Sequence, residues 1–278
     1  MSTDPIVQAA KLIASADGLL ITAGAGMGVD SGLPDFRGKE GFWKAYPALA
    51  ASGMNFTAIA NPEAFSEDAR VAWGFYGHRL ALYRKTIPHA GFTLLRKWAD
   101  QMPSGAFVIT SNVDGQFQKA GFADDAVYEI HGSIHHLQCC LPCSKILWSA
   151  DAIEPVTNDE TCEWIGNVFP TCVRCGQLAR PNILMFDDWG WSSERSEMQR
   201  KHWRAWSSTV GKQVVIELGA GVDISSIRQI SENQECPIIR INPRHPDLIP
   251  GKGLSLNLGA QQALMAISSE LKKIGWEG

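Results

Sequence analysis

The sequence predicts an α/β fold: a Rossmann-like, mostly parallel sheet with helices on both faces, plus a small zinc-binding domain. Apolar runs of strand length alternate with helix-like segments along most of the chain, which is typical of a parallel sheet covered on both faces. The first run opens into a glycine-rich turn, "TAGAGMG", and six of the seven cysteines fall between residues 136 and 180. The turn predicts a ligand crevice at the carboxyl ends of the strands, and the cysteines predict a metal site.

The strand and helix signals follow one another in a regular order. Asp4 and Pro5 begin an amphipathic helix, because Asp4 can cap its N-terminus and Pro5 needs no hydrogen bond at the first position. The predicted strands are the apolar runs "LLITAGAG", "AFVITSNVD", "VYEIHG", "NILMF", "QVVIELGAG", "PIIRIN" and "LSLNLG". Helical segments, notably "DISSIRQISEN" and "AQQALMAISSELKKI", separate several of them.

Two stretches interrupt this order and predict a second, smaller domain. Residues 39 to 89 are rich in aromatic residues and helix formers without a strand signal, and residues 136 to 180 hold most of the cysteines. We therefore expect a large Rossmann-like domain built from about 1–38, 90–135 and 181–278. The small domain would comprise a helical insertion at about 39–89 and a zinc-binding insertion at about 136–180.

Bulk composition argues against several classes of protein. The 278 residues carry 25 Lys+Arg and 29 Asp+Glu, a formal net charge of −4, without a long basic run, so we expect no nucleic-acid partner. The N-terminal residues lack the basic and apolar parts of a signal peptide, and no run of about 18 apolar residues could span a bilayer. We therefore expect a cytoplasmic protein with no membrane partner. In that compartment cysteines bind metal, react or pack rather than form disulfides.

The turn after the first predicted strand suits a nucleotide. Gly24, Gly26 and Gly28 let the backbone approach a phosphate and point N–H groups at it. Val29 stands where the dinucleotide fingerprint G-x-G-x-x-G needs its third glycine, and no acidic residue follows in an obvious strand about 20 residues later. Hydride transfer is therefore disfavoured. The segment "SGLPDFRG" adds a rigid bend, a carboxylate, an aromatic ring and a guanidinium at the mouth of the same site.

Two cysteine pairs have the spacing of a closed zinc site. Cys139 and Cys143 are separated from Cys172 and Cys175 by 28 residues, and four thiolates leave a tetrahedral zinc ion no open position for catalysis. Cys140 is an alternative first ligand, because Cys140-x2-Cys143 is also a zinc knuckle. Two cysteines have no partner at a ligand spacing and are expected to pack: Cys162 and Cys236.

In its motifs the chain resembles the sirtuin family. "GAGMGVDSGLPDFRG" is similar to the sirtuin signature GAGxSxxSGIPxFR, "TSNVD" at 110–114 resembles TQNID, and "IHGS" at 130–133 resembles the catalytic histidine–glycine pair. The two cysteine pairs and "RINP" at 240–243 complete the order, so the resemblance covers nearly the whole chain. It implies that NAD is consumed as a co-substrate and that Zn²⁺ is structural. The family's usual spacing between the histidine and the first zinc ligand selects Cys139 over Cys140.

The resemblance also implies roles for individual residues. His131 would be the general base that takes a proton from the NAD ribose, a task suited to a group that titrates near neutrality. Asn112 and Asp114 would act beside it, near the nicotinamide and its ribose, whereas His135 and His136 are expected to be structural or exposed. The residues expected to bind NAD are Gly24, Ala25, Gly26, Asp35, Phe36, Arg37, Ser111, Asn112, Asp114, Gly219, Ala220 and Asn242. Those expected to line the substrate channel are Ile183, Leu184 and Phe186.

The implied activity is NAD-dependent protein-lysine deacylation. The acyl oxygen of an acylated lysine would attack ribose C1 and release nicotinamide, and the acyl group would end on ADP-ribose, so an acylated-lysine protein or peptide is the expected partner. Two rivals remain: an NAD glycohydrolase or ADP-ribosyltransferase, and a non-catalytic NAD-binding interaction module, which His131 disfavours. Departures from the family pattern, expected to surround NAD and substrate, add weight to the first rival. They are Gly28, Ser111, Gln116, Phe117, Asp187 and Ala220.

Overall fold

A computed structural model describes residues 4–35, 38–51 and 53–276 of the chain. Its helices are α1 (Pro5–Ala14), α2 (Gly38–Ala45), α3 (Pro47–Ala51), α4 (Phe56–Ile59), α5 (Glu63–Glu67), α6 (Ala69–Lys85), α7 (Ala90–Gln101), α8 (Gln116–Lys119), α9 (Glu194–Ser207), α10 (Ser226–Glu232) and α11 (Ala260–Lys273). Its strands are β1 (Gly18–Ala23), β2 (Ala106–Thr110), β3 (Val127–Glu129), β4 (Gly132–Cys139), β5 (Trp148–Ser149), β6 (Thr157–Asn158), β7 (Glu163–Trp164), β8 (Ala179–Ile183), β9 (Gln213–Leu218), β10 (Ile238–Ile241) and β11 (Gly253–Leu256). In these ranges no helix combines the length and the apolar character needed to cross a membrane.

The central sheet has six parallel strands in the order β3-β2-β1-β9-β10-β11. β1 lies in the middle, and its Ile21 is opposite Val108 of β2 and Ile216 of β9. The chain builds the sheet outward from β1, first in one direction and then in the other, which is the strand order of a Rossmann fold. The predicted parallel sheet is therefore confirmed. The strand order reverses between β1 and β9, where such folds bind their ligands.

Both faces of the central sheet are covered, as the apolar strand runs predict. In β1, Leu19 and Ile21 pack into a cluster with side chains of α1, α7 and α11, whereas Leu20 packs on the opposite face with Phe107 and with Ile227 of α10. Burial of each such side chain stabilises the fold by about 1.5–3 kcal/mol. The sheet is therefore a rigid platform for the loops at its carboxyl edge.

Two glycines allow the loops after β1 and β9 to touch. A Cβ on Gly26 would lie 2.7 Å from the Gly219 Cα, and Gly219 itself has φ 58°, a conformation that favours glycine. The Gly26 N–H donates to the Gly219 carbonyl at 3.1 Å. The predicted glycine turn thus makes a backbone contact at the point where the strand order reverses.

A second sheet is antiparallel and has the order β5-β4-β8. The prediction of a strand in "NILMF" was wrong in its bounds and in its place, because the strand runs over Ala179–Ile183 and pairs with β4 rather than with the parallel strands. The reason lies at Gly132, which has φ 76° and turns the chain away after β3. A Cβ on Gly132 would lie 2.0 Å from the Asn182 carbonyl oxygen, so β4 and β8 approach closely only because this residue is glycine.

Side chains from both interruptions of the parallel pattern share one apolar cluster. Phe42 and Trp73 of α2 and α6 belong to it together with Leu137, Trp164 and Ile183 of β4, β7 and β8. The indole of Trp73 also donates a hydrogen bond to the Ala179 carbonyl at 3.0 Å. The helical segment and the cysteine-rich segment therefore pack as one layer.

Candidate active site

A cavity of about 600 Å³ lies at the carboxyl ends of β1, β2 and β3, and we call it the central cavity. Its walls come from the loops after these strands, from the end of β8, from α4 and α6, and from residues 223 and 224. This volume is within the range of small-molecule and cofactor sites, about 300–1,000 Å³. The predicted site residues that line it are Ala25, Asp35, Ser111, Asn112, Asp114, His131, Ile183, Leu184 and Phe186.

The remaining predicted NAD residues lie beside the central cavity or outside the described chain. The Asn242 side-chain amide donates to the Ala220 carbonyl at 2.8 Å, which joins the loops after β9 and β10 next to the contact between Gly26 and Gly219. Gly24 belongs to the same edge, because its N–H donates to the Leu218 carbonyl at 2.9 Å. Two further predicted residues, Phe36 and Arg37, lie outside the described residues.

His131 lies two residues after the end of β3, in the wall of the central cavity. Burial lowers the pKa of the imidazole below its ordinary value, and a hydrogen bond with the backbone of Ser111 opposes this only in part. The imidazole is therefore neutral at pH 7 and able to accept a proton. Its backbone carbonyl accepts a hydrogen bond from the Leu184 N–H at 2.9 Å, which places the predicted base next to the predicted substrate wall.

Asn112 connects two of the loops that build the cavity. Its side-chain amide donates to the Gly24 carbonyl at 3.1 Å, and its N–H donates to the Thr110 hydroxyl at 3.0 Å. The same hydroxyl donates to the Ala23 carbonyl at 3.0 Å. The amide of Asn112 is therefore held in a fixed position between the ends of β1 and β2.

Asp114 is a buried carboxyl group with an unusual acidity. Burial is the main cause that raises its pKa, from 3.8 to about 6, and repulsion from Glu129 acts in the same direction. The hydrogen bond that its Oδ1 accepts from the Gln116 N–H at 2.9 Å and the nearby Arg79 lower the pKa but do not offset the burial. A carboxyl group of this pKa is mostly ionised at neutral pH and gains a proton in mildly acidic solution.

The predicted substrate wall is fixed at the end of β8. The Phe186 N–H donates to the Ala60 carbonyl at 2.9 Å, and its ring meets the edge of the Phe56 ring at 6.0 Å. Asp187, which stands where the family pattern has glycine, has φ 53°. Aspartate tolerates this left-handed conformation better than most residues, so the turn keeps the backbone shape that a glycine would give.

Sequence reasoning missed three cavity residues on α6: Tyr76, Arg79 and Tyr83. The Arg79 side chain lies 6% exposed, and its Nε and Nη2 donate to the Tyr83 hydroxyl at 3.0 and 2.9 Å. Burial raises the pKa of Tyr76 to about 12, so its hydroxyl is protonated. That hydroxyl is buried without a hydrogen-bond partner among the described residues. The detectable signal was an arginine in the middle of the aromatic part of α6, three residues after Tyr76 and four before Tyr83.

Of the six departures from the family pattern, only Ser111 lines the central cavity, and two point into the protein interior. Phe117 packs in the core against Phe92, with ring centroids 4.9 Å apart, and the Gln116 amide donates to the Tyr83 carbonyl at 3.2 Å. Neither side chain lines the central cavity. The expectation that all departures surround NAD and substrate is therefore wrong for this pair, because α8 turns both side chains into the interior.

His135 and His136 border a second cavity, of about 330 Å³, that shares Tyr83 and Asp114 with the first. The His135 Nε2 lies 3.0 Å from the Asp114 carbonyl oxygen, so this ring supports the backbone of the site. Burial lowers the pKa of His136 to about 4, which keeps its imidazole neutral. Neither His135 nor His136 lines the central cavity.

Four thiols form a cluster away from the central cavity. The sulfurs of Cys139, Cys143, Cys172 and Cys175 all lie within 4.8 Å of one another, and Cys139–Cys175 and Cys143–Cys172 are each 3.6 Å apart. Four sulfurs bound to zinc at about 2.3 Å would be about 3.8 Å apart, so the cluster fits a structural zinc ion. Cys140 is not part of the cluster and packs against apolar residues instead.

Comparison with known proteins identifies a family model, described as the Sir2 family, that matches residues 24–220. An NAD-dependent protein deacylase of Aeropyrum pernix is 28% identical over 241 residues, which cover 86% of each chain. A protein of the same description from Thermococcus kodakarensis is 34% identical over 182 residues, which cover 65% of this chain and 63% of that protein.

Solved structures of Sir2 homologues have a similar fold. A mutant Sir2 homologue in complex with ADP-ribose has a TM-score of 0.72 and 24% identity, and the match covers 99% of this chain and 98% of the other. A Sir2 homologue in complex with NAD has a TM-score of 0.69 and 24% identity, and covers 98% and 95%. The likeness extends over both the central sheet and the layer that contains the cysteines.

Proposed function

Because the chain belongs to the Sir2 family, whose model matches residues 24–220, we propose that it is an NAD-dependent protein-lysine deacylase. It cleaves the nicotinamide–ribose bond and transfers the acyl group of an acylated lysine to ADP-ribose. The observation that carries this proposal is the central cavity, which joins the predicted base, five of the predicted NAD residues and the predicted substrate wall. Curated relatives with the name NAD-dependent protein deacylase support it.

The proposed roles of the residues follow from their positions in the walls of the cavity. When bound, NAD supplies a glycosidic bond whose departing group is neutral nicotinamide. Asn112, held between β1 and β2, orients the nicotinamide ribose, and the Asp114 carboxylate provides negative charge where positive charge develops on the ribose. The contact between Gly26 and Gly219 brings the loops after β1 and β9 together without side chains, so that the backbone of NAD's phosphate site can approach the ligand closely.

His131 acts as the general base in this scheme. Its lowered pKa makes the imidazole a neutral proton acceptor at pH 7. Its position next to Leu184 brings it close to the point where the acyl group of a lysine that enters along the substrate wall meets the NAD ribose. It takes the proton from a ribose hydroxyl, whose oxygen then bonds to the acyl carbon. The bond from that carbon to the lysine nitrogen breaks, the amine leaves with a proton, and a water molecule adds to give O-acyl-ADP-ribose. General-base catalysis of this kind contributes about 10²- to 10⁴-fold to a rate.

The acyl group enters the part of the cavity bordered by α6. The buried Tyr76 hydroxyl is a donor with no partner among the described residues, which costs about 1–3 kcal/mol unless a ligand accepts from it. The Arg79 guanidinium lies nearby and stays charged, because its pKa is far above neutrality. A hydroxyl donor beside a buried cation suits an acyl chain that ends in a carboxylate, so we propose acidic acyl groups as preferred substrates.

The four-cysteine cluster holds zinc in a structural role. Cys139 lies at the end of β4, and Cys172 and Cys175 lie just before β8, so the ion would tie the two strands together at the end far from His131. None of the four cysteines lines the central cavity, and no step of the reaction is assigned to the metal.

The test is nicotinamide release from NAD by the purified protein, with and without a panel of acyl-lysine peptides, and with mass spectrometry of the products. A deacylase releases nicotinamide only with a peptide and forms O-acyl-ADP-ribose. Release from NAD alone would indicate a glycohydrolase, and an ADP-ribosylated protein would indicate a transferase. NAD binding without release would indicate a binding module. Each of the last three results contradicts the proposal.

A further inference from the structure

The turn that follows the substrate wall presents an indole almost entirely to solvent. Trp189 is 98% exposed, although it lies only three residues after Phe186, which lines the central cavity. An aromatic side chain of this kind buries about 150–250 Å² when it packs, and it is seldom left in water. The nearby Trp191 differs, because its indole nitrogen is buried. Trp189 therefore contributes to neither the core nor the acyl end of the cavity.

The exposure of Trp189 is not the result of a loose loop. Asp188 and Arg180 form an ion pair of 2.7 Å with both side chains buried, and the Gly190 N–H donates to the Asp188 Oδ1 at 3.2 Å. The Gln138 amide donates to the Gly190 carbonyl at 2.8 Å. The residues on both sides of Trp189 are thus tied to buried partners, and the indole stands on a fixed backbone.

One exposed aspartate belongs to the same turn as Trp189, and another belongs to the wall of the central cavity. Asp187 is exposed and occurs two residues before Trp189, and the exposed Asp223 lines the central cavity from the loop after β9. Within the described part of the chain, the Asp187 carboxylate forms no hydrogen bond or ion pair. An exposed indole face close to carboxylates attracts a cation, and tryptophan is the best aromatic partner for lysine or arginine.

We propose that Trp189, with Asp187, forms a subsite for a lysine or arginine that flanks the acyl-lysine of a protein substrate. The cationic side chain lies over the indole and near the carboxylate, so the subsite selects acylation sites in basic sequence. The inference rests on the proposed function, because it takes the residue entering the cavity along Leu184 to be an acyl-lysine. It names Trp189 as a specificity-determining residue and assigns it no part in bond cleavage.

The test measures the binding of labelled acyl-lysine peptides by fluorescence anisotropy. The peptides form pairs that carry either arginine or glutamine at one flanking position, and each pair tests a different position. At one position the wild-type protein should bind the arginine peptide about two- to five-fold more tightly, the factor expected of an exposed cation–π contact. Trp189→Ala should abolish this ratio, Trp189→Phe should keep part of it, and Asp187→Asn should lower it most at low salt. Ile87→Ala, at an exposed apolar residue outside both cavities, is the matched control and should keep the wild-type ratio.

Several results would overturn the inference. They are a Trp189→Ala variant that keeps the arginine preference, a wild-type protein without such a preference, and no peptide binding at all. A change in sedimentation of Trp189→Ala from dimer to monomer, with an unchanged preference, would assign the indole to contact with a second copy instead. Turnover of the same peptides separates the two proposals. Turnover without preference refutes only the subsite, whereas preference without nicotinamide release refutes only the deacylase.

Discussion

Replacement of Asp114 by asparagine should stabilise the folded protein at neutral and alkaline pH while it impairs NAD cleavage. The folded state raises the pKa of this carboxyl group from 3.8 to about 6, chiefly by burial. The folded state therefore holds the proton more tightly than the unfolded chain does, and ionisation destabilises the fold as the pH rises from about 4 to about 6. Asparagine has nearly the same shape and can still accept the hydrogen bond from the Gln116 N–H, but it carries no charge to bury.

The two pKa values set the size of the effect. With a pKa of about 6 in the folded state and 3.8 in the unfolded state, ionisation of Asp114 costs the folded protein about 3 kcal/mol at pH 8 and about half as much at pH 5. Asp114→Asn should therefore raise the free energy of unfolding by up to these amounts, and the gain should vanish in acid below about pH 3.

Urea denaturation of the wild type and Asp114→Asn at several pH values measures this difference. Asp125→Asn, which removes an exposed carboxylate, is the control and should change the free energy of unfolding by less than about 0.5 kcal/mol. The variant should release nicotinamide much more slowly at every pH. A variant that is no more stable at pH 8, or whose gain does not depend on pH, would refute the reasoning.

Three further changes test other parts of the site. His131→Asn should lower kcat/KM for nicotinamide release in the presence of an acyl-lysine peptide by about 10²-fold or more, with NAD affinity retained by calorimetry; a change of only a few-fold would exclude a general base at this position. Cys172→Ser should lose zinc by native mass spectrometry and melt at a lower temperature than the wild type, and full stability without metal would contradict the structural role. Arg79→Met should lower the preference for carboxylate-ended over acetyl peptides by about 10-fold or more, whereas Arg79→Lys should keep part of it; equal preference in all three proteins would remove Arg79 from acyl recognition.

The sequence allowed the parallel sheet to be predicted because its inner strands are buried on both faces and are mostly apolar, as in β1, whose six residues are all buried. The glycine turn could be predicted for a related reason, since Gly26 must contact Gly219 and no side chain fits between them. The antiparallel sheet could not be predicted, because β4 reads "GSIHHLQC". The hydrogen-bond partners of its polar residues are distant in sequence and become neighbours only in the folded structure. Buried Gln138, for example, accepts from the Asn182 amide at 2.8 Å, 44 residues away.

Site residues that follow the ends of strands could be predicted from the sequence, whereas site residues on a helix could not. His131, Asn112 and Asp114 follow strands, and the carboxyl edge of a parallel sheet brings such residues together whatever their separation in sequence. Tyr76 and Arg79 lie on α6, whose aromatic composition predicts core packing equally well. A binding role is distinguished from core packing only by the burial of the Arg79 cation beside a cavity. Which face of a helix is buried depends on the element that packs over it, and the sequence of the helix does not specify that element.

The central claim is that the acyl oxygen of the substrate, rather than water, attacks the ribose in the central cavity. It can be tested most directly with an acyl-lysine peptide carrying ¹⁸O in its acyl carbonyl, in unlabelled water, followed by mass spectrometry of the nucleotide product. We predict that the label enters the ADP-ribose part of the product in a stoichiometric amount. Unlabelled ADP-ribose, formed at the same rate as nicotinamide, would contradict it.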